Sequence, residues 1–390
     1  MRKMIDSSSW IWPITFVFAG AGSTFLGPFL PRLATSWRLL DHQAGFLVSS
    51  LFLGSFTGTL LLSPKLRRTV FVGSLSACIG LLLFAVCVER NLGILVAVAS
   101  ITVMGFGLGQ LMSSINLLVG SAEGGRRARR LAWIAAAFCL GAILSPVLTT
   151  VVIRGLSVSA RLALFAPLFL LPLLWASRRE LSDPRSSVET HTQGLGPQAW
   201  HTAWRCIVLF LIYGGVEASV VSWMPMVAAR YQLGTLGKAQ WITSIFWMSL
   251  SASRMVMALL QQASREVDTL RASTIGAALS LVWLIAAPSP VALILTCMIA
   301  GVCLGPIFPL LLSSSIGYGL SERALGMALA ACGLGAAVFP SILGIVASAG
   351  SLRGAMMVPI VGLCLLLILR WWPQRNTITL NPQVTKLTSV

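Results

Sequence analysis

Between residues 211 and 223 the chain reads LIYGGVEASVVSW, where one carboxylate, Glu217, stands among apolar and small residues. A carboxyl group in such surroundings can exchange a proton or hydrogen-bond a polar molecule. Tyr213, one turn earlier, falls on the same helical face and can hydrogen-bond it. The other ten of the 11 acids lie in connectors or at the ends of apolar runs. Metal chemistry has no comparable basis. His42, His191 and His201 are all in connectors, and the eight cysteines lie in or beside apolar runs without metal-ligand or disulfide spacing. They read as small packing residues. No cofactor or metal is expected. An enzyme would call for a His, Cys or Asp pair inside the apolar runs, and none is there.

The elements that hold Glu217 follow from composition. Of 390 residues 56% are hydrophobic and 10% are charged, against roughly 25% charged in a soluble domain. Mean hydropathy is +0.87. The net charge of +17 does not imply nucleic acid, because the bases sit in short connectors and form no basic face. Apolar runs of membrane-spanning length predict twelve helices, at about 10–30, 45–62, 70–88, 92–112, 131–152, 159–176, 203–227, 239–260, 272–287, 290–312, 324–347 and 353–372. The start, MRKMIDSSSW, is basic like a signal peptide, but the run after it lacks a small-residue cleavage site and reads as a retained first helix.

Orientation follows from lysine and arginine, which stay on the cytoplasmic side. Placing the N-terminus inside puts 19 of the 28 there and eight outside, with Arg254 within a span. Both termini are therefore expected in the cytoplasm and the protein in the inner membrane. The polar stretch 178–202 divides the chain into an N-terminal bundle (1–177), a cytoplasmic linker (178–202), a C-terminal bundle (203–372) and a tail (373–390). Glu217 then sits about 21 Å along a helix of about 37 Å, beyond the reach of either interface.

The two halves match at a constant offset. AFCLGAILSP (137–146) aligns with ACGLGAAVFP (331–340) at 194, as do Pro31 with Pro225 and Ser50 with Ser244; GFGLG (105–109) meets GVCLG (301–305) at 196. Gly and Ala recur in any membrane helix, but an offset of about 194 across four pairs of spans indicates a repeat. A repeat of six spans keeps the same topology in both halves. The chain thus resembles the major facilitator superfamily, and GLGQLMSSINLLV (107–119), GVCLGPIFPLLLSS (301–314) and YGGVEASVVSW (213–223) resemble its fucose:proton symporter group.

The resemblance implies an all-α membrane protein of two pseudo-symmetric six-helix bundles around a mid-membrane site. It also implies that the first, fourth, seventh and tenth spans line the cavity while the third, sixth, ninth and twelfth face lipid. Two departures matter. The fucose group carries acids on its first and fourth spans, where this chain has Ser23, Thr24 and Met112, so coupling must run through Glu217 or be absent. The loop after the second span, LLLSPKLRRTV, keeps the bases of the superfamily pattern and lacks its aspartate.

Each further candidate has a plain reading beside a functional one. Ser23, Thr24, Gln110, Ser113 and Asn116 either bond helix to helix or meet substrate hydroxyls. Trp247 and Phe308 are deep enough to stack on a solute, although aromatic residues near span ends are commonly interfacial anchors. Arg254, about 9 Å from the cytoplasmic end of its span, reads as a snorkelling arginine that helps tie a gate. Pro306 and Pro309 are expected to break or bend the tenth helix for gating. The function expected is secondary transport of a small, neutral, sugar-like solute by alternating access, with proton symport through Glu217 and Tyr213. Efflux of drugs or metabolites by proton antiport is the alternative, raised by GAILSP on the fifth span. Solute, protons and lipids are the expected partners, with no nucleic acid, and a monomer is expected.

Overall fold

The computed structural model describes residues 11–63, 65–120, 126–150, 156–176, 197–231, 241–260, 266–286, 289–318, 320 and 322–371. The expected tail, most of the expected linker and the first ten residues lie outside them, as does His191.

Among the described residues there are helices and no strands, and the helices form twelve spans. They are α1 (Ile11–Thr24 continued by Leu26–Trp37), α2 (Asp41–Leu60), α3 (Leu66–Arg90), α4 (Ile94–Gly120), α5 (Arg126–Thr150) and α6 (Val158–Phe165, a 3-10 turn Ala166–Leu170, then Leu171–Ala176). The second half has α7 (Pro197–Arg230), α8 (Trp241–Leu260), α9 (Glu266–Ala286), α10 (Pro290–Gly317), α11 (Glu322–Ala349) and α12 (Leu352–Ala355, then Met357–Trp371). Eight of the spans are long and apolar enough by composition alone to cross a membrane. The protein is a multi-pass membrane protein of two six-helix bundles. One boundary differs from expectation: α7 starts inside the predicted linker, at Pro197, whose fixed φ suits the first turn of a helix.

The break in α1 has a local cause. Pro28 has no N–H to give the carbonyl of Thr24, so the helix loosens at Phe25 before resuming. In α6, Pro167 within the 3-10 turn and Pro172 just after it interrupt the helix in the same way.

Both bundles are built alike. In the first, α1 packs on α5, α2 on α4 and α3 on α4; in the second, α7 packs on α11, α8 on α10 and α9 on α10. The repeat reaches single atoms. A side chain added at Gly20 would strike the carbonyl of Phe138, and one at Gly141 would strike that of Val17. At an offset of 194, Gly214 meets the carbonyl of Cys332 and Gly335 that of Leu211. Small residues let these backbones touch, which is where dispersion attraction comes from when lipid is as apolar as the helix.

Across the bundles α2 packs on α11, α5 on α8, and the second half of α1 on α7. Gly27 there abuts Val221 and Ser222, and Pro31 and Pro225 each withhold the i+4 helical N–H from a carbonyl at this contact, those of Gly27 and Val221. Exposed apolar side chains run along α3 (Phe71, Leu75, Leu82, Val86), α9 (Val267, Leu279, Val282) and α12 (Val361, Leu365, Ile368). Lipid is the medium that covers such faces. The first part of α10 also turns Val291, Ile294, Met298 and Val302 outward, so that helix faces the cavity only with its other side and later turns.

Candidate functional site

Glu217, Arg254 and Gly305 stand on three different helices, yet each lies about 20 Å from the end of its helix on the same side of the molecule. That common depth brings them together. The Arg254 guanidinium lies 3.7 Å from the Glu217 carboxylate, with side chains 30% and 18% exposed. Its Nε donates to the Gly305 carbonyl at 3.1 Å and Nη2 to the Tyr213 hydroxyl at 3.4 Å. Tyr213, fully buried, donates to the Leu304 carbonyl at 3.2 Å.

The Gly305 carbonyl is available because residue 309 is proline. In an uninterrupted helix the N–H of residue 309 would take that carbonyl; Pro309 has none, and Arg254 occupies the vacancy. Pro306 and Pro309 lie inside α10, which runs continuously from Pro290 to Gly317. Pro309 presents an acceptor. The head of Arg254 turns inward to Glu217 and not toward the interface, because carboxylate and carbonyl partners are at hand.

Aromatic rings flank the cluster. Phe308 stands edge-on to Phe210 at 5.5 Å and tilted against Tyr213 at 6.0 Å. Trp247 meets Phe138 of the other bundle at 5.9 Å, and its indole Nε1 is buried with no hydrogen-bond partner. The cluster thus faces the seam between the bundles.

The first-bundle candidates are placed elsewhere. Gln110 donates to the Leu61 carbonyl at 3.1 Å, holding the loop after α2, while its buried Oε1 has no partner. Ser113 donates to Thr59 at 3.0 Å. Thr24 bonds back to Gly20 at 2.9 Å, Ser23 is half-buried beside it, and Asn116 is exposed.

One pair was not anticipated. Asp41 and Arg230 form a two-pronged ion pair, 2.6 and 2.8 Å, between the start of α2 and the end of α7. Beside it the His42 backbone N–H donates to Ser348 at 2.8 Å, and deeper in, Ser244 donates to the Ile143 carbonyl at 2.6 Å. These bonds close the bundles against each other at one end. The signal available in the sequence was that both charges end helices on the same predicted side.

These features define a chain of two pseudo-symmetric bundles with a polar cluster on the seam. The family model for the Major Facilitator Superfamily matches residues 14–238, more than half of the chain, and the chain belongs to that superfamily. It is accordingly a secondary transporter and not an enzyme. No curated protein sequence matches it. Among solved structures it is similar to the inward-open xylose transporter from E. coli (TM-score 0.74, 14% identity, 98% of this chain and 99% of that one). It is also similar to a bacterial homolog of the human lysosomal transporter Spinster, inward-facing and occupied (0.69, 13%, 93% and 95%). A third likeness is to the E. coli fucose:proton symporter (0.60, 15%, 94% and 98%). At these identities the likeness is one of fold.

Proposed function

We propose that this protein moves a small, neutral, sugar-like solute across the inner membrane together with a proton, both termini being cytoplasmic and the Asp41–Arg230 end facing out. The observation that carries the reading is the Glu217–Arg254 pair. With Glu217 ionised the two charges cancel, so the chamber offers an anion or cation no unmatched partner. With Glu217 protonated the carboxyl becomes a hydrogen-bond donor and its hold on Arg254 weakens. The guanidinium then rests on Gly305 and Tyr213, and α7 is less tightly tied to α8. Proton and solute thereby act on the same helices, which is what coupling requires.

The aromatic lining fits this substrate class. Trp247 offers a buried, unpartnered N–H beside Phe138, and Phe308 offers a ring face near Tyr213. Sugar hydroxyls and their C–H faces match such a surface. The first-bundle residues Ser23, Thr24, Gln110, Ser113 and Asn116 are proposed as solute contacts only in other states of the cycle, since here most are bonded within their own bundle. The superfamily and the fold likeness to xylose and fucose carriers support the class.

Reconstitution into liposomes tests this. A panel of neutral sugars, carboxylates and organic cations is offered under an inward-directed proton gradient. Accumulation of a neutral solute that collapses with a protonophore is expected. Accumulation only of ions, or gradient-driven export, would replace symport of a neutral solute with another coupling, the latter being antiport efflux.

A further inference from the structure

Two polar groups on α8 are buried without partners, and both stand on the stripe of that helix that leads to Arg254. Thr243 is 1% exposed and Trp247 6%, and neither the Thr243 hydroxyl nor the Trp247 indole Nε1 makes a hydrogen bond. At roughly 3.6 residues per turn, positions 243, 247 and 254 fall within about 40° of one another around the helix axis. Trp247 lies about 10 Å from Arg254 along that axis, toward the Asp41–Arg230 end of the molecule, and Thr243 one turn farther.

This part of α8 is seated on α5 of the other bundle. Ser244, next to Thr243, donates to the Ile143 carbonyl at 2.6 Å, and the Trp247 ring stands edge-on to Phe138 at 5.9 Å. The seating serves packing and leaves both polar atoms dry. A buried donor without an acceptor carries its full desolvation cost. Valine at 243 would match the shape of threonine, and phenylalanine at 247 would keep an aromatic ring; neither would carry that cost. Packing alone therefore accounts for neither the hydroxyl nor the indole N–H. Both belong to a surface that is wet or bonded elsewhere in the transport cycle.

We infer that Thr243 and Trp247 form an outer subsite for the solute, closed in this conformation and uncovered when α8 parts from α5 at the Asp41–Arg230 end. The inference rests on the neutral-solute reading above and adds to it which groups select the solute. The indole N–H only donates, the hydroxyl both donates and accepts, and helical spacing sets the two side chains about 5–6 Å apart at their Cβ atoms. A polyhydroxylated solute matches them, with an ether or hydroxyl oxygen for the indole and a hydroxyl for Thr243. Neither group carries a charge to select an ion. Arg254, paired with Glu217, lies about two turns deeper on the same stripe, so a solute leaving the subsite inward meets that pair next.

The test uses the full chain in a neutral detergent, with D-glucose, D-xylose, L-fucose and myo-inositol as probes and binding read as saturable protection against thermal unfolding. At least one probe is expected to bind the wild type. Thr243→Val and Trp247→Phe should each weaken that probe at least fivefold, and Thr243→Ser, which keeps the hydroxyl, should bind within about twofold of wild type. Without any probe, Thr243→Val should unfold at or above the wild-type temperature, because it removes an unpaired hydroxyl and keeps the shape. A lower temperature would make that hydroxyl structural and overturn the inference. Unchanged affinity in either Thr243→Val or Trp247→Phe would overturn the subsite and leave the neutral-solute reading standing. No saturable response of the wild type to any of the four probes would overturn both.

Discussion

Glu217 and Arg254 each interrupt an apolar helix, and neither is stable there alone. Removing one partner leaves the other uncompensated, a change that costs about 3–5 kcal/mol for a fully buried pair and less where water reaches both, as here. Arg254→Gln is therefore expected to destabilise the protein by about 2 kcal/mol, seen as a lower thermal midpoint, and to abolish gradient-driven transport. Glu217→Gln keeps shape and hydrogen bonding and should be milder in stability. Pro309→Ala makes a sharper test of the same cluster. It supplies the N–H that Gly305 lacks, so the helix should gain stability, up to about 3 kcal/mol, while Arg254 loses its acceptor. A raised melting temperature with a slower initial rate of uptake is expected; unchanged transport would show that the Gly305 bond is incidental. Glu217 stood out in the sequence because a lone acid among apolar residues is rare. Its pairing with Arg254 did not, because the contact joins α7 to α8 and no fixed spacing encodes it. Only the shared depth of the two residues, counted from helix ends, hints at it.

At the scale of helices, the close crossings are carried by glycines. Gly214 and Gly335 each let a carbonyl of the partner helix occupy the place of a side chain. Gly214→Val or Gly335→Val should separate α7 from α11 and destabilise by about 1–3 kcal/mol or more, read as loss of monodisperse protein on gel filtration. Gly326→Ala is the control. Nothing lies within 4 Å of a Cβ there, so a gain of about 0.4–1 kcal/mol is expected from the lost freedom of the unfolded chain. Span positions were legible because hydrophobic length is a direct consequence of bilayer thickness. Helix ends were less so. α4 runs on to Gly120 and α7 starts at Pro197, since polar residues such as Asn116 and Gln198 end an apolar run without ending a helix.

For the whole molecule, the repeat seen in AFCLGAILSP and ACGLGAAVFP reappears as matching glycine contacts, because the same small residues make the same crossing in each half. Contacts between the halves left weaker traces. Asp41 and Arg230 are far apart in the chain and ordinary in type, yet they join the bundles at one end. With Arg230 42% exposed, the pair is worth about 1 kcal/mol at most, enough to shift a conformational balance about fivefold. Asp41→Asn should speed hydrogen exchange in peptides around 38–46 and 346–352 by up to that factor, and the swap Asp41→Arg with Arg230→Asp should restore protection. Equal exchange in all three proteins would remove the pair from gating.

The claim on which the account depends is that Glu217 carries the coupled proton. Proteoliposomes holding wild type or Glu217→Gln, given a solute taken up by the wild type, separate coupling from movement. Expected is loss of accumulation driven by the proton gradient in Glu217→Gln, with exchange of labelled for unlabelled solute retained. Accumulation equal to wild type would contradict it.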